Sequence, residues 1–444
     1  MLLPKPNKPL NLNKPVLDKQ PLELNADFQY ALDAIEKQGR HLFITGRAGT
    51  GKSTLLQLFR RTTRKKTVVL APTGIAALNV SGQTIHSFFG FPPRFIAPSE
   101  IKKRRDRRLY QNLEVLVIDE ISMVRADMLD NIDYFLRLNR ENPAPFGGVQ
   151  VVFFGDLFQL PPVIANQAEQ TLFQLQYDSP YFFSAKVLEG FPIEMIELQK
   201  VYRQENRHFL KLLDDVRLNR IEYDTLAELN SRYQPDFAAP EFYITLCARN
   251  NRADDINRQE LERIPLPTQR YLANITGDFG AHLYPTEAAL SLKLNAQVMF
   301  VKNDPKRQFV NGTIGRIVKL ENETATVMVE ETGERRYVEV EALDWEILRY
   351  KTSLSDPANI ETEVIGTFRQ LPLRLAWAVT IHKAQGKTFD KVIIDLGKGA
   401  FEYGQTYVAL SRCRTLEGIV LSQPLRPNDI RTDERIVEFY EQNF

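Results

Sequence analysis

Cysteine, tryptophan and histidine are scarce in this chain of 444 residues, which holds two, two and five of them. Two cysteines, Cys247 and Cys413, cannot build a disulfide framework and form no C-x-x-C pair, so a reducing compartment fits best. The histidines at 41, 86, 208, 282 and 382 are scattered without metal-ligand spacing, which argues against zinc chemistry. No stretch approaches the ~18 consecutive apolar residues of a membrane span, so a soluble protein is expected. Nor does either sign of charge prevail. Lys plus Arg number 57 and Asp plus Glu 56, a net charge of +1, and the whole-chain balance is silent about nucleic acid.

What is present is ordinary globular composition, 43% apolar and 25% charged. At about 150 residues per domain the length suggests roughly three domains or subdomains. Residues 1–24 carry prolines at 4, 6, 9, 15 and 21 and no arginine, a pattern of an extended arm rather than a signal or transit peptide. A helical pattern follows at Phe28, Ala31, Leu32 and Ile35. Short apolar runs at 41–45, 68–71, 115–118 and 149–154 then read as fully buried parallel strands, and a second set appears at 243–248, 376–380 and 392–396. Two α/β domains are implied. Between the later strands, residues 297–365 change to short β segments about ten residues apart, the spacing of a small inserted barrel. Basic residues crowd 102–108, with a second cluster at 60–66, and acidic ones gather at 321–346. A basic run by itself is usually a solvated face.

Residues 46–54 read G-R-A-G-T-G-K-S-T and match G-x-x-x-x-G-K-[ST] between a strand and a helix. Glycines let backbone N–H groups close around phosphate oxygens, and the helix N-terminus adds its positive end. Lys52 then neutralises the β/γ oxygens while the Ser53 hydroxyl suits Mg²⁺. The run 115–118 ends in Asp119 and Glu120, one carboxylate for the metal's water shell and one to polarise an attacking water. Neighbours on a strand point opposite ways, so this pair must sit where the strand turns. Glu120 implies ATP hydrolysis rather than binding alone.

P-loops serve many chemistries, so five more segments matter. A-P-T-G-I-A-A-L-N at 71–79 precedes G-Q-T-I-H-S-F-F at 82–89; G-D-L-F-Q-L-P-P occupies 155–162. W-A-V-T-I-H-K-A-Q-G-K-T at 377–388 and Y-V-A-L-S-R-C-R at 407–414 complete the series. In order and spacing these resemble superfamily 1 helicases, specifically the petite-integration-frequency (Pif) family, related to RecD-like helicases, from about residue 25 to residue 414. The resemblance implies an α/β fold of two RecA-like P-loop domains with parallel sheets. One would span 25–190, with a small basic wedge insertion at about 90–110. The other would comprise 191–296 and 366–444, with an SH3-like β-barrel insertion at 297–365.

The resemblance also implies site residues. Gln29, Gly46, Ala48, Gly49, Thr50, Gly51, Lys52, Ser53, Thr54 and Gly386 would hold ATP, with Gln29 reading the adenine edge. Lys52, Asp119, Glu120 and Gln159 would act in hydrolysis, joined by Arg203 and Arg412 from the second domain; Ser53 and Asp119 would bind Mg²⁺. An arginine aimed at the transferring phosphoryl group is worth ~10³–10⁵ in rate. Pro72, Thr73, Gly74, Asn79, Thr84, His86 and Phe88 would face single-stranded DNA from one lobe and Thr380, His382 and Lys383 from the other. Phe88, Phe89 and Phe91 are either base-stacking rings or core. Lys387 and Thr388 stand where many members carry an acidic residue, so no ribose-binding carboxylate is assigned.

The implied activity is ATP-driven 5′→3′ movement on single-stranded DNA with unwinding of duplex, fork or quadruplex DNA. A cytoplasmic monomer without membrane attachment is expected, acting in repair, recombination or telomere maintenance. Two other classes compete: an ATP-gated nucleic-acid-binding module that never unwinds, and a P-loop phosphotransferase with a small acceptor. The H-K-A-Q-G segment at 382–386 speaks against the latter.

Overall fold

The computed structural model describes residues 24–444 apart from 165, 166, 205, 332 and 354. The expected N-terminal arm therefore lies almost wholly outside the described residues. Among those described, no helix is long and apolar enough to cross a membrane.

The first lobe is a six-stranded, wholly parallel sheet. Its strands are β1 (His41–Gly46), β2 (Thr67–Ala71), β3 (Gln83–Thr84), β4 (Val115–Ile118), β5 (Gln150–Phe154) and β6 (Ile193–Leu198), in the spatial order β3-β2-β4-β5-β1-β6. The apolar runs are continuous because both faces of the sheet are covered. Phe43, Leu70, Ile118 and Phe153 enter one core, while Leu42, Ile44, Val69, Val117 and Phe154 enter the core on the opposite face. The helix Ala26–Glu36 belongs to that second layer, started by Asn25, whose side chain accepts the Phe28 N–H at 2.8 Å.

The second lobe has a four-stranded parallel sheet, ordered Ala378–Thr380, Ile244–Cys247, Val392–Asp395, Ile419–Leu421. Between its first two strands in sequence the chain leaves to build antiparallel structure. Five strands order as Glu334–Val340, Ala325–Glu331, Ile314–Leu320, Gln297–Phe300, Leu373–Leu375, and their ladder does not close into a ring among the described residues. Three more (Leu343–Thr352, Ile360–Gln370 and Asn274–Gly277) form a separate sheet. The antiparallel region thus exceeds the expected 297–365 at both ends.

Two boundaries differ from those read in the sequence. β6 follows residue 190 yet pairs with β1 in the first sheet. Glu194 and Glu197 interrupt its apolar run, which an edge position tolerates: Glu194 pairs with Arg40 at 2.7 Å and Glu197 accepts from Tyr440. The last helix, Glu434–Asn443, returns to the first lobe. Phe439 stacks on Phe183 at 4.3 Å, and the Tyr440 hydroxyl donates to Glu197 at 2.9 Å.

The long hairpin also reaches the first lobe. The Tyr350 hydroxyl accepts the Val69 N–H of β2 at 3.1 Å, and the Tyr350 N–H donates to the Gln83 side chain at 3.2 Å. Tyr350→Phe leaves the buried Val69 N–H unpaired, an expected loss of about 1–3 kcal/mol. Amide exchange in the 67–71 segment should accelerate; unchanged exchange there would show that this contact does not anchor the hairpin.

Candidate functional site

The first sheet turns the carboxyl ends of β1, β4 and β5 toward the inter-lobe cleft, and the second lobe meets them with the segments that precede its strands Val392–Asp395 and Ile419–Leu421. β1 ends in the P-loop, whose turns need left-handed backbone at Gly49 (φ +88°) and Gly51 (φ +87°). The helix Lys52–Thr62 starts immediately afterwards. β4 ends at Ile118, and Glu120 takes φ +52°, so the turn required to splay Asp119 and Glu120 is present as left-handed backbone at a non-glycine residue.

A cavity of about 650 Å³ opens here, lined by Ala48 through Thr54, Asp119, Glu120, Gln159, Arg203, Gly386 and Arg412. Sequence reasoning had gathered these residues from six segments. Ser53 and Thr54 are exposed to the cavity, whereas Thr50 is buried and donates to the Arg47 carbonyl at 3.0 Å. Lys52 folds back to donate to the carbonyls of Gly46 (2.6 Å) and Arg47 (3.1 Å). Burial lowers its pKa, opposed by the nearby Asp156 and Glu120 charges. Burial raises Asp119 and Glu120, with Glu120 adding to the rise at Asp119 and Lys52 opposing it at Glu120. Ser53 and Asp119 bring a hydroxyl and a carboxylate to one cavity, a donor set suited to a hard cation.

Arg412 is 1% exposed and donates to the Val408 carbonyl at 2.8 Å; burial pulls its pKa down to about 10. Arg203 departs from its expected placement in the second domain. It lies in the link that follows β6, where the Tyr202 N–H donates to the Gly49 carbonyl at 2.9 Å, while its guanidinium reaches across to the Ser411 carbonyl at 3.1 Å. Also spanning the cleft is Gln385, which donates to Glu120 (3.2 Å) and to Gln159 (3.1 Å). Lys387, where no carboxylate was assigned, is brought down to about 8, chiefly by burial.

Gln29 does not line this cavity. It is exposed and donates to Asp33 one turn along its own helix at 3.0 Å, while Phe28 and Tyr202 form the wall on that side. Phe28, Tyr202, Gln385 and Arg414 were not assigned to the site from sequence. Gln385 had the clearest signal, being next to Gly386 in a segment already singled out.

Of the residues expected to meet nucleic acid, Thr73, Thr84 and Thr380 are helix N-caps whose side-chain oxygens accept the N–H of Ala76, Ser87 and Lys383. Each hydroxyl proton remains able to donate elsewhere. Asn79 is exposed, Pro72 and His86 are half-buried, and burial lowers the His86 pKa. Gly74 lies under Leu283, where an added Cβ would fall 2.0 Å from the leucine Cδ2. Thr380, His382 and Lys383 line a pocket with Arg249, Asn250 and Phe401; His382 pairs with Glu402 at 2.8 Å.

Phe88 is a correction. It is 4% exposed and packs edge-on against Phe89 (4.9 Å), Tyr110 (5.5 Å) and Tyr350 (6.0 Å), so its ring is core, as are Phe89 and Phe91. The basic segment is partly paired within the fold. Arg94 pairs with Glu100, Arg108 with Asp106, and both Lys103 and Arg107 with Glu141, while Arg104 donates to the Phe89 carbonyl.

Two parallel α/β sheets, with a P-loop and an acidic strand end in the first, define a P-loop protein of two RecA-like lobes. A family model for PIF1-like helicases matches residues 23–225. The ATP-dependent DNA helicase Pif1 of Bdellovibrio bacteriovorus is 33% identical over 95% of this chain and 92% of its own length. The chain belongs to the Pif1 family. Pif1 from Bacteroides sp in complex with ADP-AlF4 is 37% identical, covers 94% of this chain and 96% of that one, and superposes with a TM-score of 0.87. Against Bacteroides Pif1 bound to ssDNA, at the same identity and coverage, the TM-score is 0.67. Human PIF1, 33% identical over 98% of this chain, is matched over 66% of its length, so the chain spans about two thirds of that relative.

The P-loop glycines offer a direct test. A Cβ at Gly49 would lie 2.5 Å from the Arg203 Cβ, on backbone that side chains seldom adopt. Gly49→Ala is expected to cost about 1–3 kcal/mol of stability and to displace Arg203. Weaker binding of a fluorescent ATP analogue, with secondary structure retained, is the expected reading; unchanged affinity would separate Gly49 from the nucleotide site.

Proposed function

We propose that the chain is an ATP-dependent DNA helicase that moves 5′→3′ along single-stranded DNA and opens duplex or otherwise structured DNA ahead of it. The observation that carries this reading is the convergence of Lys52, Asp119, Glu120, Gln159, Arg203 and Arg412 on one cavity between two lobes. ATP is the substrate. Its phosphates would displace the Gly46 and Arg47 carbonyls from Lys52 and fill the cradle of P-loop amides. A magnesium ion held by Ser53 and Asp119 would neutralise charge on the β/γ oxygens.

In this reading Glu120 accepts a proton from the attacking water, and its raised pKa makes it a better base than an exposed carboxylate. Gln159 orients that water. Arg203 and Arg412 meet the charge that develops on the transferred phosphoryl group. Arg412 stands on the second lobe and Lys52 on the first, so the site is complete only when the cleft is closed. The contacts of Gln385 with Glu120 and Gln159 tie the same closure to the hydrolytic pair.

The nucleic-acid face follows from the chain's own donors. The cap threonines 73, 84 and 380 offer hydroxyl protons, Asn79 an exposed amide, and Lys383 a cation that burial makes costly and a phosphate would stabilise. Phe401 is 40% exposed, with the Arg249 guanidinium over its ring at 4.8 Å, and suits base stacking better than Phe88. Both cysteines are buried and unpaired, in keeping with a reducing compartment. We infer a monomer, the nucleotide cavity being lined from both lobes of one chain.

The test is unwinding of matched duplexes carrying a 5′ or a 3′ single-stranded tail. Opening from the 5′ tail, lost in Lys52→Ala, is expected; opening from the 3′ tail alone overturns the polarity, and hydrolysis without opening overturns the helicase reading. Lys383→Ala should weaken binding to all sequences alike and reduce the salt dependence of single-strand affinity by about 0.7 in the log–log slope. An unchanged slope would remove Lys383 from the phosphate contacts.

A further inference from the structure

The loop after β5 is held by contacts that the residues assigned above leave unexplained. Asp156 is 1% exposed. Its Oδ1 accepts the Phe158 N–H at 3.2 Å and lies 3.8 Å from Nε of Arg217, a cation 2% exposed between the rings of Phe158 (4.3 Å) and Tyr440 (5.0 Å). Its Oδ2 accepts from the Gln159 amide at 3.0 Å. The same oxygen accepts from the Tyr407 hydroxyl at 3.4 Å, and that hydroxyl in turn accepts the Ala48 N–H of the P-loop at 3.1 Å. Ala48, Asp156 and Gln159 belong to the first lobe. Tyr407 comes from the second, on the helix Gln405–Leu410.

The approach is close over more than one bond. Gly404, which begins that helix, sits against the loop so tightly that an added Cβ would fall 2.4 Å from the carbonyl oxygens of both Phe158 and Gln159. A phenol is suited to the junction because its one oxygen accepts from an amide and donates to a carboxylate simultaneously. Burial, then the Asp156 charge, hold the Tyr407 pKa above its ordinary value, so the donated proton stays in place.

We propose that Tyr407 is a positioning residue for hydrolysis: its hydroxyl fixes Asp156 against the P-loop when the lobes close, and Asp156 thereby fixes the Gln159 amide. The path runs from Tyr407 through Asp156 to Gln159, whose oxygen meets Gln385, the residue that also holds Glu120. Arg217 faces the Asp156 carboxylate in a site where an unpaired charge is costly. Tyr407 touches no substrate atom in this scheme. It converts closure of the cleft into the orientation of one side chain. The inference rests on the ATPase reading above.

The test is DNA-stimulated ATP hydrolysis by the full chain carrying Tyr407→Phe, Gln159→Ala or both. Tyr407→Phe is expected to lower kcat about tenfold, equivalent to about 1.4 kcal/mol of barrier. KM for ATP and affinity for single-stranded DNA should stay within about twofold, the signature of a group that touches neither ligand. Added to Gln159→Ala, the same substitution should cost nothing further, because the hydroxyl acts only through Gln159. Gly404→Ala keeps the hydroxyl but wedges it away, and should reproduce the kcat loss together with its dependence on Gln159. An unchanged kcat in Tyr407→Phe overturns the role, as does a tenfold loss that multiplies with Gln159→Ala. A wild-type chain without DNA-stimulated hydrolysis overturns the motor reading as well, so the two failures are told apart.

Discussion

Charges that the cleft takes out of water impose the constraint on which this architecture depends. Lys52, Asp119, Glu120, Asp156 and Arg412 are held largely away from solvent where the two lobes meet, and isolated charges there would be expensive. They are tolerated because each has a partner or a substitute for one. Lys52 rests on P-loop carbonyls, Arg412 on the turns of its own helix, Arg203 on the Ser411 carbonyl, and Asp156 faces Arg217. Gly404 against Gln159 lets the lobes approach where a side chain would hold them apart, and Gly49 does the same between the P-loop and the link that carries Arg203. In the proposed reading a triphosphate would exchange the carbonyl partners of Lys52 for stronger anionic ones.

Much of this was legible in the sequence, for a physical reason. Strands buried on both faces must be apolar at every position, so β1, β2, β4 and β5 and three strands of the second sheet announced themselves. The P-loop and the acidic strand end were equally plain, because phosphate geometry allows few residues at those places. Edge strands were harder. β6 is interrupted by two glutamates, β3 has two residues, and Ile419–Leu421 has three.

Other features depend on partners far away in the chain, and no local pattern could disclose them. The arginine-rich segment looked like free charge, yet Lys103 and Arg107 meet Glu141, more than thirty residues on. Phe88 sits among aromatic residues of motif-like appearance, but its helix turns it inward toward Tyr110 and Tyr350. Gln29 was assigned from the family resemblance, which leaves its rotamer open. Asp156 and Tyr407 lay within the segments quoted, yet nothing in either segment indicates that they touch each other. The antiparallel region was recognised by spacing, whereas its long hairpin, with ten- and eleven-residue strands, departs from the short-strand rhythm that identified the rest.

The return of the helix Glu434–Asn443 to the first lobe has a mechanical corollary. The polypeptide passes between the lobes twice, once after β6 and again before this helix, where Tyr181 donates to Asp433 at 3.0 Å and Phe439 stacks on Phe183. Two bodies joined at a single point can swivel about any axis. Joined at two points, they resemble a door on a pair of hinges, free to swing about the line through both and stiff against twisting. Such a joint would spend the work of each swing along one direction, as a ratchet advancing on a linear track requires.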